Sequence, residues 1–139
     1  MRTTAAATVL LLAFAANTFA QSAVTYRLSF PEPEHRWMQV ELTLADLPAT
    51  PLELHMSRAS PGRYALHEFA KNVFDVRITD AAGAALRVTH TTPHQWVVAE
   101  HPSNVRVSYR VFGDRTDGTC LSIDPAHAHV NMPAALMWA

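Results

Sequence analysis

The chain is poor in the features that announce particular chemistries. It has one cysteine in 139 residues, four glycines, and no excess of either charge. A single cysteine, Cys120, cannot close an internal disulfide, so the fold must rest on its apolar core. Eleven Lys and Arg against twelve Asp and Glu give a net charge of −1. Such a surface has no long-range field to collect phosphate backbones or anionic lipid, which argues against nucleic acid as a partner. There is no internal repeat, and no low-complexity segment outside the first twenty residues.

Those twenty residues hold the one long apolar run. Arg2 supplies a positive start, Ala5 to Ala16 is apolar except for Thr8, and Thr18-Phe19-Ala20 ends on a small residue, the pattern of a cleaved export signal. As a helix, twelve such residues reach about 18 Å, short of the roughly 30 Å hydrocarbon core. No cysteine stands near the cleavage point to accept lipid. The expectation is an exported protein, periplasmic or extracellular, with no stable membrane anchor. Removing residues 1–20 leaves 119 of the 139 residues, enough for one domain at 21–139 and too few for two.

The remaining sequence alternates with period two, the mark of strands with one face on a core and one in water. Val24, Tyr26, Leu28 and Phe30 share a face until Pro31 and Pro33 stop the strand. Met38, Val40, Leu42 and Leu44 define a second strand, and Leu52 to Met56 a third. Leu66 to Lys71 offers about one helical turn, followed by a strand in which Phe74, Val76 and Ile78 share a face. Asp80 to Gly83 is a hairpin turn, with Gly83 able to take positive φ and Ala85 to His90 returning antiparallel. Gln95 to Ala99 and the strongest strand, Val105 to Val111, flank a turn at His101 to Asn104. These seven strands predict an all-β, antiparallel β-sandwich. Past Val111 the alternation fails, and Leu136-Met137-Trp138 at the end reads as a chain interrupted inside an element.

Candidate chemistry is sparse. His127 and His129 would put two imidazoles on one face of a strand near Asp124, but two ligands make a weak, unselective site, so a surface or interface role is expected. His35, His55, His90, His94 and His101 fall at strand ends or turns. Ser60 precedes a turn-forming proline and lacks the Gly-x-Ser-x-Gly elbow of a nucleophile. Flanking Asp117, Gly118 and Thr119 point to a partly exposed Cys120, and a lone thiol in an exported protein is expected to be incidental. Trp37 and Trp96 read as packing residues.

The most distinctive stretch is Ser57 to Asp75, where Pro61-Gly62-x-Tyr64 is followed by Glu68-Phe69-Ala70 and Asn72-Val73. With Trp96-Val97-Val98, Val107 to Phe112, and Asp124 with His127 through Asn131, it resembles the amino-terminal domain of the glycyl aminopeptidase family, zinc metallopeptidases with a thermolysin-like catalytic domain. The family often carries a tryptophan ahead of the Pro-Gly turn, where this chain has Ser57 to Ser60. In relatives a catalytic domain follows, with a His-Glu-x-x-His helix that holds zinc and activates water. Here His67-Glu68 begins such a motif, but Lys71 stands where the second histidine belongs. The resemblance thus implies a non-catalytic accessory domain with no cofactor of its own, zinc being expected only in the missing catalytic domain. Its partners would be that domain or a peptide substrate, and Pro61, Gly62, Arg63, Tyr64 and Phe69 would form an interdomain or substrate-rim surface. The alternative is an autonomous exported module that holds a peptide or protein by strand addition. A third, a small metal-handling protein using its histidines, ranks last.

Overall fold

The computed structural model describes residues 23–139; the export signal expected at residues 1–20 lies outside them. Strands are β1 (Val24–Ser29), β2 (Trp37–Leu44), β3 (Leu52–Met56), β4 (Val73–Asp80), β5 (Thr89–Thr92), β6 (Gln95–Val98), β7 (Val105–Phe112), β8 (Ser122–Ile123), β9 (Ala128–His129) and β10 (Met137–Trp138). One short helix, α1 (Met132–Ala135), precedes β10. Two antiparallel four-stranded sheets, β1-β2-β7-β4 and β10-β3-β6-β5, share one core, and β8 and β9 form a small hairpin.

Alternation places the core. Met38, Val40, Leu42 and Leu44 of β2 and Val105, Val107, Tyr109 and Val111 of β7 are all buried, facing Leu52, Leu54, Met56, Trp96 and Val98 of the other sheet. Each buried side chain of this size contributes about 1.5–3 kcal/mol relative to exposure. The long β2–β7 ladder, Trp37↔Phe112 through Leu44↔Val105, fixes the register. A one-residue slip would turn every one of these side chains to water.

The structure departs from the sequence expectations in four places. Phe74 does not share a face with Ile78. A bulge between Phe74 and Arg77 inserts one residue, with Asp75 at φ 54°, and turns Phe74 outward against Trp37, ring centroids 5.3 Å apart. The bulged Asp75 carboxylate accepts a bond from Arg110 Nε at 2.8 Å, and the Arg110 guanidinium lies 4.5 Å from the Trp37 ring centroid.

The turn at Asp80 forms, with Gly83 at φ 90°, but the return breaks off after the Thr79↔Ala85 bridge and the Leu86 N–H bond to Ile78 O. Leu86 and Val88 lean into the core between the sheets, and the chain pairs next as β5 with β6. Strands β6 and β7 likewise lie in different sheets, so His101 to Asn104 is a crossover and not a hairpin. The helical turn expected at Leu66 to Lys71 is a 3-10 turn at Phe69–Asn72.

After Val111 the chain is ordered by few but specific contacts. The Asp124 carboxylate accepts from the N–H groups of Ala126 and His127, shaping the β8–β9 turn; those bonds hold its carboxyl below the usual range. Met137 is buried, with both of its backbone groups bonded to tyrosines. Its N–H donates to Tyr109 Oη at 2.9 Å, its C=O accepts from Tyr26 Oη at 2.6 Å, and the Tyr109 O–H donates to Ala135 O at 3.1 Å.

Burial pushes both phenols above their ordinary range. A raised phenol contributes stability that is whole below about pH 10, where the unfolded tyrosine ionises, and that is lost as pH rises further. Tyr109→Phe should therefore cost about 1–3 kcal/mol, since it leaves a buried amide and a carbonyl without a partner. It should also flatten the fall in Tm above about pH 10. Thermal melts of both proteins between neutral and alkaline pH check this, and an unchanged Tm at neutral pH would refute it.

Candidate functional site

Between β3 and the 3-10 turn, residues 57–68 form a loop whose two ends are tied together. The His67 N–H donates to Arg58 O at 2.7 Å, and Arg58 and Glu68 pair across the same base. The Ser57 Oγ bonds within its own turn, to Ala59 N and O. At the tip, Arg63 N–H donates to Ser60 O at 3.1 Å, closing a turn around Pro61 and Gly62. Gly62 adopts φ 75°, a conformation that costs an L-residue roughly 1–2 kcal/mol.

The loop is also pinned to the segment that follows β7. Asn131 Nδ2 donates to Ser60 Oγ at 3.0 Å and to Thr119 O, and both Ser60 and Thr119 are buried. Arg63 Nη2 donates to Asp117 O at 3.3 Å. Beneath the loop, Phe69 is buried in the core and the His67 imidazole stacks on it, centroids 4.9 Å apart and planes 7° from parallel.

The five residues singled out from the sequence therefore separate. Phe69 is an anchor below the loop, whereas Pro61, Gly62, Arg63 and Tyr64 form its exposed crown. Tyr64 is fully exposed and Leu66 is 69% exposed. An open depression of about 460 Å³ runs from this crown to Asp117 and Thr119. Leu66, Asp117 and Asn131 were not foreseen as members of the site. An apolar residue in a loop was the one available signal, for Leu66; the bond from Asn131 to a residue 71 positions away left none.

The site's electrostatics do not make a nucleophile. The Asp117 carboxyl is held low by the N–H groups of Thr119 and Cys120 and by Arg63. Burial and that carboxylate push the half-buried Cys120 thiol up, the reverse of what a reactive thiolate needs. Ser60 accepts from Asn131 in a buried position.

His127 pairs with Asp124 at 3.0 Å while His129 is directed to Gly118 O, so the two imidazoles make separate contacts. His55 and His101 are engaged rather than merely solvated. His55 stacks on Trp138, and His101 bridges Thr50 O and Pro102 O, each at 2.8 Å. Among the described residues no group of three or more His, Cys, Asp or Glu is placed to hold a metal ion.

A family model described as the peptidase M61 N-terminal domain matches residues 25–139. No curated protein matches the chain. Among solved structures, the chain is similar to an aminopeptidase N family protein from Idiomarina loihiensis, with a TM-score of 0.67 at 20% identity. That alignment covers 73% of this chain and 17% of that one.

The Asn131 amide joins the tip of this loop to the segment after β7. Asn131→Ala should cost about 1–2 kcal/mol and free the crown, so that trypsin cuts after Arg63 several times faster than in the unaltered chain. Equal cleavage rates would show that the loop is held by other means.

Proposed function

We infer that this chain, which belongs to the peptidase M61 N-terminal domain family, is the non-catalytic accessory domain of an exported zinc aminopeptidase of the glycyl aminopeptidase kind. In that setting it packs beside a thermolysin-like catalytic domain and helps shape the cleft for the peptide's amino-terminal residues. The observation that carries this is the crown of the 57–68 loop, where Tyr64 and Leu66 stand in water on a tied and stapled backbone.

Exposing two large apolar side chains costs solvation that a partner surface would recover, at about 25 cal/mol per Å² of apolar area covered. Aromatic and arginine side chains in such rigid settings are also the usual anchors of interfaces. Bond cleavage is assigned to the zinc and the His-Glu-x-x-His helix of the other domain; residues 61–64 would line its rim.

Two measurements test this. With zinc added, the purified chain should release no product from glycyl or alanyl p-nitroanilide, and turnover that copurifies with the chain would contradict the assignment. In a polypeptide that joins this domain to its catalytic domain, Tyr64→Ala with Leu66→Ala should lower kcat/KM at least about tenfold, a loss of about 1.4 kcal/mol. Unchanged kcat/KM would place the contact elsewhere.

A further inference from the structure

The outer face of sheet β1-β2-β7-β4 carries four arginines, Arg27 on β1, Arg77 on β4, and Arg106 and Arg110 on β7. On β7 they alternate with the buried Val105, Val107, Tyr109 and Val111, so their side chains stand on the solvent side. Two of the four have acidic partners. Arg27 lies 3.6 Å from the Glu41 carboxylate, and Arg110 pairs with Asp75 and reaches to 4.0 Å from Glu32. Arg77 and Arg106 are exposed and make no ion pair or hydrogen bond with any described residue.

Register sets these two arginines on a diagonal. Arg77 stands opposite Ser108, and Thr79 opposite Arg106. The four side chains mark a rectangle on one face, with guanidinium groups at two opposite corners and hydroxyls at the other two. Diagonal neighbours of this kind lie about 7–8 Å apart at their bases, within reach of long side chains. Two cations so placed repel each other. Neither the Ser108 nor the Thr79 hydroxyl has a hydrogen-bond partner among the described residues. Two surface hollows share Ser108 in their lining, one of about 410 Å³ with Thr79 and Arg106, the other of about 240 Å³ with Arg77 and Arg110.

We propose that this rectangle is the seat of a single carboxylate presented by another polypeptide. The guanidinium groups of Arg77 and Arg106 hold it from opposite corners, and the Ser108 and Thr79 hydroxyls donate to its oxygens. Charge sets the class of occupant. The four arginines against Glu32, Glu41 and Asp75 leave one positive charge in surplus on this face, which one carboxylate neutralises. It also replaces the repulsion between Arg77 and Arg106 with attraction to a shared anion. Glu41 and Asp75 are engaged by Arg27 and Arg110 and flank the site, so a nucleic acid or an anionic membrane would bring its further charges against them. This inference rests on the register and charge of the outer face and is independent of the proposed function.

Two capped peptides, acetyl-Ala-Glu-Ala-amide and acetyl-Ala-Gln-Ala-amide, differ only in the carboxylate. Titrated into the isotope-labelled chain, the first should shift the Nε–H signals of Arg77 and Arg106, half-saturating at about 1–10 mM. The second should leave them in place. Arg77→Gln and Arg106→Gln, at exposed positions, should each weaken binding at least about fivefold. Arg87→Gln removes the same charge from the segment between β4 and β5 and should change binding less than about twofold. No shift with the glutamate peptide at about 20 mM, equal shifts with both peptides, or equal weakening by all three variants would overturn the proposal. Inorganic phosphate is the last arm, and tighter binding of phosphate than of the glutamate peptide would overturn the assignment to a carboxylate.

Discussion

Met137 is the residue on which the two sheets meet. Its side chain is buried, its strand pairs with β3 of one sheet, and its N–H and C=O are bonded to Tyr109 and Tyr26 of the other. A two-residue strand at a sheet edge would ordinarily be weak, because it leaves backbone groups open to water or to a stray partner. The two phenols remove that weakness at Met137. The Tyr109 hydroxyl also holds the end of α1 through Ala135 O. Since α1 follows directly on Asn131, whose amide staples Ser60, the same tie secures the segment that steadies the 57–68 loop.

That connection bears on the contact surface proposed for the exposed loop. A flexible crown would lose ordering entropy on docking, about 1–2 kcal/mol for each residue fixed. Here the base is closed by His67 N–H to Arg58 O, and the tip is held by Asn131 and Arg63, so much of that ordering precedes any encounter. Tyr64 and Leu66 are presented without being packed, while Phe69, buried, with His67 stacked on it anchors the C-terminal end of the loop to the core. The outer aromatic group of Trp37, Phe74 and Phe112 differs in kind. Arg110 covers it, Asp75 and Glu32 lie beside that arginine, and it closes on itself.

Much of the fold was legible because burial follows alternation. The inward set of β2 is the one read from the sequence, β3 and β7 lie where the sequence placed them, and the antiparallel β-sandwich follows. Phe74 was misplaced because a single residue, Asp75 at positive φ, breaks the period, and an aspartate gives little notice of a bulge. Strand pairing was less legible than strand position. Which sheet β5 and β6 join is set by where Leu86 and Val88 find apolar neighbours, a long-range fact. The β8–β9 hairpin and β10 are too short to show a period, and polar side chains and tyrosines secure them. At the candidate site the Pro-Gly turn and Tyr64 were visible as a motif. The separation of Phe69 from the crown and the part played by Asn131 required the tertiary structure.

We have proposed that this domain serves a zinc-bearing catalytic domain, to which bond cleavage is assigned. The most direct measurement is to read the genomic DNA past codon 139 in all three frames. The account predicts a segment encoding His-Glu-x-x-His with a downstream glutamate; unrelated sequence in every frame would contradict it and leave a self-standing binding module in its place.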